Sequence, residues 1–110
     1  MRAALRIDAH FVAHNTFRVR QPHAAQFEMM WQHRRSHLSG FPGFVSFSLL
    51  RDQGSNRYIS QTVWKSQEAF TEWLNSHEFE ERHDPKRLER ISYMLESPPE
   101  VSTYTEIDAR

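Results

Sequence analysis

The pattern of apolar and polar residues along the chain predicts four β-strands. In the first strand every second side chain, starting at Phe11, is assigned to one face, and that otherwise apolar face includes the amide of Asn15. The second and third strands are rich in aromatic and branched residues, and the last strand alternates again. The predicted strands are His10–Val19, Phe44–Arg51, Arg57–Lys65 and Val101–Ile107.

Between the first two strands, apolar residues recur at helical spacing. Pro22 is suited to open a helix, and Gly40 is suited to end it near Ser39. The next residues, 41–43, predict a turn into the second strand. A hairpin loop over 52–56 then joins the second strand to the third, and in it Gly54 can take a positive φ.

A second helical region follows the third strand. Ser66 is a good N-cap for it, and Asn75 with Ser76 predicts a stop and a new cap. A short helix is expected from about His77 to His83, because Pro85 disfavours helical geometry at the residue before it. For residues 86–96 the pattern favours a loose helical turn or a loop.

The order strand, helix, strand, strand, helix, strand is that of the split βαβ, ferredoxin-like sandwich, an α+β fold with two helices on one face of an antiparallel sheet. A length of 110 residues fits one domain. We expect this domain to span residues 1–110, with residues 1–7 peripheral or poorly ordered. The opposite sheet face is too apolar to stay in water, so a homodimer, forming a dimeric α/β barrel, is expected.

Composition excludes several classes of function. Lys plus Arg and Asp plus Glu each number 14, so the neutral chain lacks the basic footprint of a nucleic-acid or anionic-membrane binder. There is no Cys, which excludes disulfides, thiolate metal sites and a cysteine nucleophile. No apolar stretch approaches the ~20 residues of a membrane span, and no signal sequence is evident. A cytoplasmic location is the expectation.

Three side chains are candidates for chemistry, and each also has a structural explanation. Asn15 could be satisfied by backbone groups or sit at a bulge, or it could line a pocket with its donors free. His83 could be a surface or capping residue, and Trp73 could simply be core. Together, however, an indole, an amide and an imidazole suit a flat aromatic metal cofactor. The imidazole could bind its iron, the amide could bond a diatomic ligand, and the indole could press on the ring. One His cannot hold zinc, but it can hold heme iron.

Other sites are less well supported by the sequence. His33 and His37 have the i, i+4 spacing of metal ligands, but no third ligand is evident. His77 lacks the second His that a zincin helix needs. There is also no glycine-rich phosphate loop and no pair of carboxylates in an apolar setting.

The chain from about His10 to Ile107 resembles the small dimeric ferredoxin-like monooxygenases of the antibiotic biosynthesis monooxygenase (ABM) superfamily, and in particular its Isd-type heme-degrading branch. The stretch 41–50 resembles the superfamily's second strand. Asn15 stands where that branch has its catalytic Asn, Trp31 where an aromatic residue, usually Phe, is found, and Arg34 where an Arg follows. The remaining matches in type and spacing are residues 62–66, Ala69, Phe70, Trp73, Ser76, Phe79 and His83.

The resemblance implies an oxidoreductase for which heme is both substrate and cofactor, opened with O2 and electrons from an unidentified reductase or small-molecule reductant, with release of iron. His83 would be the axial ligand to heme iron. Asn15 would donate a hydrogen bond on the other side of the iron, and Trp73 would press on the porphyrin. Trp31, Phe79 and Arg34 would bind or position the cofactor.

The chain departs from the family pattern at three places. His14, a bulky and titratable residue, precedes Asn15, and Trp31 is larger than Phe. Residues 84–99 match no family pattern. Two alternatives therefore stay open: a cofactor-independent monooxygenase of a small aromatic or quinol substrate, and a heme-binding protein without turnover.

Overall fold

A computed structural model describes residues 9–33, 38–77, 79 and 85–110. Among these residues the strands are β1 (Phe11–Arg18), β2 (Phe44–Arg51), β3 (Arg57–Trp64) and β4 (Glu100–Thr105). The α-helices are α1 (Ala24–His33), α2 (Gln67–Leu74) and α3 (Pro85–Ser92). Short 3₁₀ turns lie at Gln21–His23 and Leu38–Gly40.

The four strands form one antiparallel sheet in the order β2-β3-β1-β4. This is the ferredoxin-like topology that the strand and helix order predicted. The register places Asn15 of β1 opposite Ser60 on β3 and opposite Val101 on β4. Side chains at directly opposed positions share a face of the sheet, so these three residues lie on the helix-bearing face.

The two faces of β1 differ as the alternation predicted. Phe11, Ala13 and Phe17 are buried beneath the helices. On the other face, the ring of His14 lies 4.8 Å from that of Tyr104 on β4 and 2.9 Å, Nε2 to Oε1, from Gln61 on β3. This face carries no helix among the described residues. The homodimer that would cover it stays a prediction.

The helix-bearing face holds two separate groups of packed side chains. The α1 cluster is made of Phe17, Val19, Phe27, Tyr58, Met94 and Leu95. The α2 cluster is made of Phe11, Trp64 and Trp73, with Phe41, Phe44, Ala69, Phe70 and Phe79 packed against it. Two clusters at opposite ends of one sheet leave the centre of that face to be filled by something else.

Residues 85–92 form a regular helix, so the helical alternative was the better one and the loop was wrong there. The residues Met94 and Leu95, which follow this helix, are buried in the α1 cluster. Ile91, within the helix, packs against the same cluster. The Arg20 N–H also donates to the Met94 carbonyl at 2.7 Å. Of these three residues only Ile91 lies in the helix, which ends at Ser92, and Met94 and Leu95 anchor the chain that follows it.

The caps predicted at Ser66 and Ser76 are confirmed, whereas Leu38–Gly40, at the predicted end of the first helix, form a 3₁₀ turn. The Ser66 hydroxyl accepts from the Ala69 N–H at 3.1 Å, and the Ser76 hydroxyl accepts from the Phe79 N–H at 3.1 Å. α1 ends at His33, and the predicted continuation over 34–37 lies outside the described residues. The same holds for 78 and 80–84 of the second helical region. No described helix is both long and apolar enough to cross a membrane.

The glycine that uses a positive φ is Gly43, at 84°, and not Gly54, for which the expectation was wrong. The Gly54 N–H is instead held by Asp52 Oδ1 at 2.8 Å. A Cβ on Gly43 would lie 2.4 Å from the Cβ of Ala69. The missing side chain therefore lets α2 approach the start of β2.

Gly43→Ala should lower the free energy of unfolding by about 2–4 kcal/mol, from the left-handed backbone and the overlap with α2 together. Chemical denaturation measures this loss. Gly54→Ala is the matched control, because a Cβ at Gly54 would lie 3.6 Å from Asp52 Oδ1, an ordinary contact distance, and the φ of Gly54 is not positive. An equal loss in the two variants would contradict the close approach of α2 as the cause.

A carboxylate on α1 is tied to the sheet. Glu28 accepts hydrogen bonds from the Tyr58 hydroxyl and, at 3.0 Å, from Arg51. The bond from Tyr58, followed by Arg51, holds the pKa of Glu28 below its ordinary value of 4.5. Because the Glu28 pKa is lower in the folded state, the ionised carboxylate stabilises the fold above pH 4.5. This contribution is lost as the pH falls through the lowered pKa.

Tyr58→Phe removes the largest cause of this shift but keeps the ring. The unfolding free energy should then fall at neutral pH and depend less on pH below the ordinary Glu28 pKa. Denaturation at about pH 3 and about pH 7 measures both effects. An unchanged pH dependence would mean that the Tyr58 bond does not hold the Glu28 carboxylate in solution.

Candidate functional site

A cavity of about 240 Å³ lies on the helix-bearing face, and it is lined by Trp73 of the α2 cluster and by Trp31, which packs against the α1 cluster. Its floor is the centre of the sheet, where the two directly opposed pairs are Ala13 with Thr62 and Asn15 with Ser60. These side chains are small or polar, whereas the flanking positions on the same strands carry large aromatic rings. The cavity exists because the floor residues are too short to fill the space beneath the helices.

The walls of the cavity are aromatic. Trp31 of α1 stacks on Phe47 of β2, with ring centroids 5.7 Å apart and planes 14° apart. Trp73 and Phe79 stand on the other side, with centroids 5.7 Å apart and planes at 83°. Val101, which is 69% exposed, also lines the cavity. The cavity therefore opens to solvent along β4.

Trp73 is held on several sides. It is 6% exposed, stacks at 6.2 Å on the indole of Trp64, and meets the ring of Phe41 edge-on at 5.4 Å. Its carbonyl accepts from the Ser76 hydroxyl at 2.7 Å, at the helix end that the sequence predicted. A fixed backbone and packed ring leave Trp73 one orientation, with part of its surface on the cavity.

Asn15 lies in the floor, and its Oδ1 atom is buried without a hydrogen-bond partner among the described residues. A buried polar atom without a partner costs about 1–3 kcal/mol. Sequence analysis left open an Asn satisfied by backbone groups. The unpartnered oxygen instead favours the pocket interpretation, because an amide retained at such a cost is typical of a binding site.

The predicted site residues thus divide into two groups. Asn15, Trp31, Trp73 and Phe79 all line the one cavity. His83 and Arg34 lie outside the described residues, as does His37 of the alternative metal pair. The functional roles of all six predicted site residues stay predictions.

Among the described residues, no group of three or more His, Cys, Asp or Glu side chains could hold a metal ion. His33, the described member of the alternative metal pair, is exposed at the end of α1. The polar side chains of the cavity floor are an amide and two hydroxyls. His14 also lines the cavity, but its ring contacts Gln61 and Tyr104 on the other face of the sheet. An amide, two hydroxyls and a single imidazole are not a set that zinc prefers.

Sequence analysis missed the hydroxyls of Ser60 and Thr62 and the ring of Phe47. Thr62 Oγ1 accepts from the Trp64 indole at 2.8 Å. The available signal was the interruption of the large apolar side chains on β3, where Tyr58 and Trp64 flank two small polar residues on the same face. To place Ser60 and Thr62 beside Asn15, however, one must know the register between β1 and β3, which the sequence does not give.

The chain matches the model of a known protein family. The model described as antibiotic biosynthesis monooxygenase matches residues 10–85, well over half of the chain. The match spans β1 to the start of α3 and so includes Asn15, Trp31, Trp73 and Phe79.

Curated relatives match over a shorter stretch. The heme oxygenase (mycobilin-producing) of Mycobacterium tuberculosis is 41% identical over 51 residues, which is 46% of this chain and 49% of that protein. The alignment therefore spans about half the length of the curated relatives it matches.

Solved structures match over nearly the whole chain. The heme-degrader MhuD of Mycobacterium tuberculosis, with two hemes bound in its active site, has a TM-score of 0.74 and 25% identity over 91% of this chain and 98% of that one. SnoaB, a cofactor-independent oxygenase from Streptomyces nogalater, has a TM-score of 0.67 and 22% identity over 91% and 95%. At 22% identity, the likeness to SnoaB shows a shared fold alone.

The ferredoxin-like topology, the cavity between sheet and helices and the family match over residues 10–85 lead to one assignment. The chain belongs to the antibiotic biosynthesis monooxygenase family.

Proposed function

We propose that this monooxygenase degrades heme, opening the porphyrin with O2 and externally supplied electrons and releasing iron. The observation that carries the proposal is the convergence of Asn15 and Trp73, 58 residues apart in the chain, on one aromatic-walled cavity. The partial identity to a heme oxygenase and the structural likeness to a heme-degrader support it.

The chemistry of the cavity fits a flat, largely apolar ring. Ligand pockets are mostly apolar, with a few polar groups that fix orientation, and here two indoles form walls above an amide. The volume of about 240 Å³ lies just below the ~300–1,000 Å³ of typical ligand sites. The opening along Val101 would let the edge of a larger ring extend beyond the enclosed space.

The proposed roles follow from the chemistry of each side chain. The Asn15 amide would donate a hydrogen bond inside the cavity to oxygen held there. The packed indole of Trp73 would press on the face of the ring, and Trp31 and Phe79 would exclude water from it. When bound, heme would supply the iron that activates O2 with electrons from an external donor.

His83 is proposed as the axial iron ligand, and Arg34 as a group that helps position the cofactor. His83 follows the cavity residue Phe79 by four residues, a spacing that shares one face of a helix. The four ring nitrogens of the porphyrin already bind heme iron, so the protein needs to supply only one ligand, a neutral imidazole.

The partners are proposed with the function. A homodimer would cover the open sheet face, where Leu50 and Tyr104 are exposed. A reductase or a small-molecule reductant would supply the electrons.

A hemin titration followed by reductant tests the proposal. One Soret band should grow to saturation, and it should bleach in air with ascorbate even when catalase removes peroxide. A band that survives would favour a heme-binding protein without turnover. If hemin changes no spectrum, the proposal fails and a cofactor-independent oxygenase of a small aromatic substrate, which the small cavity would also suit, becomes the better explanation.

His83→Ala should weaken hemin binding about 100-fold or more, since even loss of a group that merely supports a ligand costs about 10–100-fold. The change is read from the Soret position and the dissociation constant. His77→Ala is the matched control, because His77 is exposed and is not a proposed ligand. Equal affinity in the His83→Ala variant and the parent would exclude His83 as the ligand.

A further inference from the structure

We propose that Ser60 is a positioning residue that holds the Asn15 amide with its NH2 group toward the cavity; this inference rests on the proposed function. Two observations carry it. The Asn15 oxygen is buried and unpartnered among the described residues, and β3 places the Ser60 side chain directly across from it on the same face.

The orientation of an Asn amide is decided by hydrogen bonds alone, because its oxygen and nitrogen are nearly equal in size. Turned one way, Asn15 offers the cavity two donors; turned the other way, it offers an acceptor. A donor role requires the first orientation. Oδ1 is buried away from water, which is consistent with the first orientation. Only a protein group can therefore satisfy that oxygen.

Ser60 is the neighbour best placed to do so. Directly opposed side chains have Cβ atoms about 4.5–5.5 Å apart, a distance that a serine hydroxyl and an amide can span together. In the structure Ser60 makes no hydrogen bond to Asn15 Oδ1, so the proposal requires the Ser60 side chain to turn to another of its staggered positions. Both residues line the cavity floor, so the space for this rotation exists.

The other neighbours on this face are less suited. On the β4 side of Asn15 the opposed residue is Val101, which has no polar side-chain atom. The next floor hydroxyl, Thr62, pairs with Ala13 and already accepts from the Trp64 indole. Thr62 is therefore diagonal to Asn15, about 7–8 Å away by strand geometry.

The test compares Ser60→Ala with the conservative Ser60→Thr in the hemin-loaded protein. Ser60→Ala should slow hemin degradation about two- to tenfold, the loss of one orienting hydrogen bond. It should also shift the C–O stretch of carbon monoxide bound to the reduced protein, because that frequency responds to a nearby donor. Ser60→Thr keeps the hydroxyl and should restore both.

Ser48→Ala is the matched control, since it removes a strand hydroxyl from the opposite face of the sheet. An unchanged C–O stretch and rate in Ser60→Ala would overturn the inference and leave the proposed function standing. A Ser60→Thr variant as defective as Ser60→Ala would also overturn it, because the loss would then be one of packing.

Failure of the chain to bind hemin would remove the proposed function, and the apoprotein would then decide the inference. An atomic-resolution crystal structure should show Ser60 Oγ within about 3.2 Å of Asn15 Oδ1. A longer separation, or an amide turned with its oxygen to the cavity, would overturn the inference.

Discussion

Replacing Asn15 by alanine should leave hemin bound but slow its degradation about 100-fold. Removal of one preorganised donor at a reacting oxygen typically costs about 10²–10³ in turnover. Asn15 meets the conditions for such an effect, because it lies in the floor of an aromatic-walled cavity and its amide oxygen is buried without a hydrogen-bond partner among the described residues. Hemin affinity should change little, since the ring contacts come from the walls.

Single-turnover absorbance with reductant and catalase measures the rate, and a hemin titration measures the affinity. Asn56→Ala is the matched control, because Asn56 lies in the loop between β2 and β3 and does not line the cavity. If Asn15→Ala degrades hemin as fast as the parent, the proposed mechanism is wrong.

Trp64→Ala should lower the free energy of unfolding by about 3–5 kcal/mol, the usual cost of removing a buried Trp. Trp64 is 0% exposed and lies at the centre of the α2 cluster. Its ring meets Phe44 at 5.6 Å and Phe70 at 5.8 Å, and it supports Trp73. Domains of this size are stable by about 5–15 kcal/mol, so this loss would be a large fraction of the total stability.

Denaturant titration measures the loss, and a hemin titration of the folded fraction reports on the wall that Trp64 supports. Tyr93→Ala is the control, because Tyr93 is half exposed and its loss should cost below about 1 kcal/mol. A Trp64→Ala variant as stable as the parent would contradict the packing described for the α2 cluster.

The sequence predicted the sheet well because the strands carry their signal locally. Alternation fixed the buried face of β1 at Phe11, Ala13 and Phe17, and the cap at Ser66 fixed the start of α2. Helix α3 was expected only as a loose helical turn or a loop, because its polar composition gave little indication that Ile91 packs against the α1 cluster. The end of α3 is set by tertiary packing, because the following residues Met94 and Leu95 contact the end of β1.

The site was predictable in part. The sequence indicated Asn15 as a polar residue on an apolar face, and Trp31, Trp73 and Phe79 through family resemblance. The floor pairs with Ser60 and Thr62 could not be predicted, because they depend on the register between β1 and β3. A register shift of one residue would have turned both hydroxyls to the opposite face.

A crystal structure of the hemin-loaded protein tests the central claim most directly. The account predicts one flat ring in the cavity between the two clusters, with His83 Nε2 bonded to iron, the Asn15 amide within hydrogen-bond distance of oxygen bound there, and Trp73 against the ring. Hemin bound outside this cavity, or iron held by His33 and His37, would contradict it.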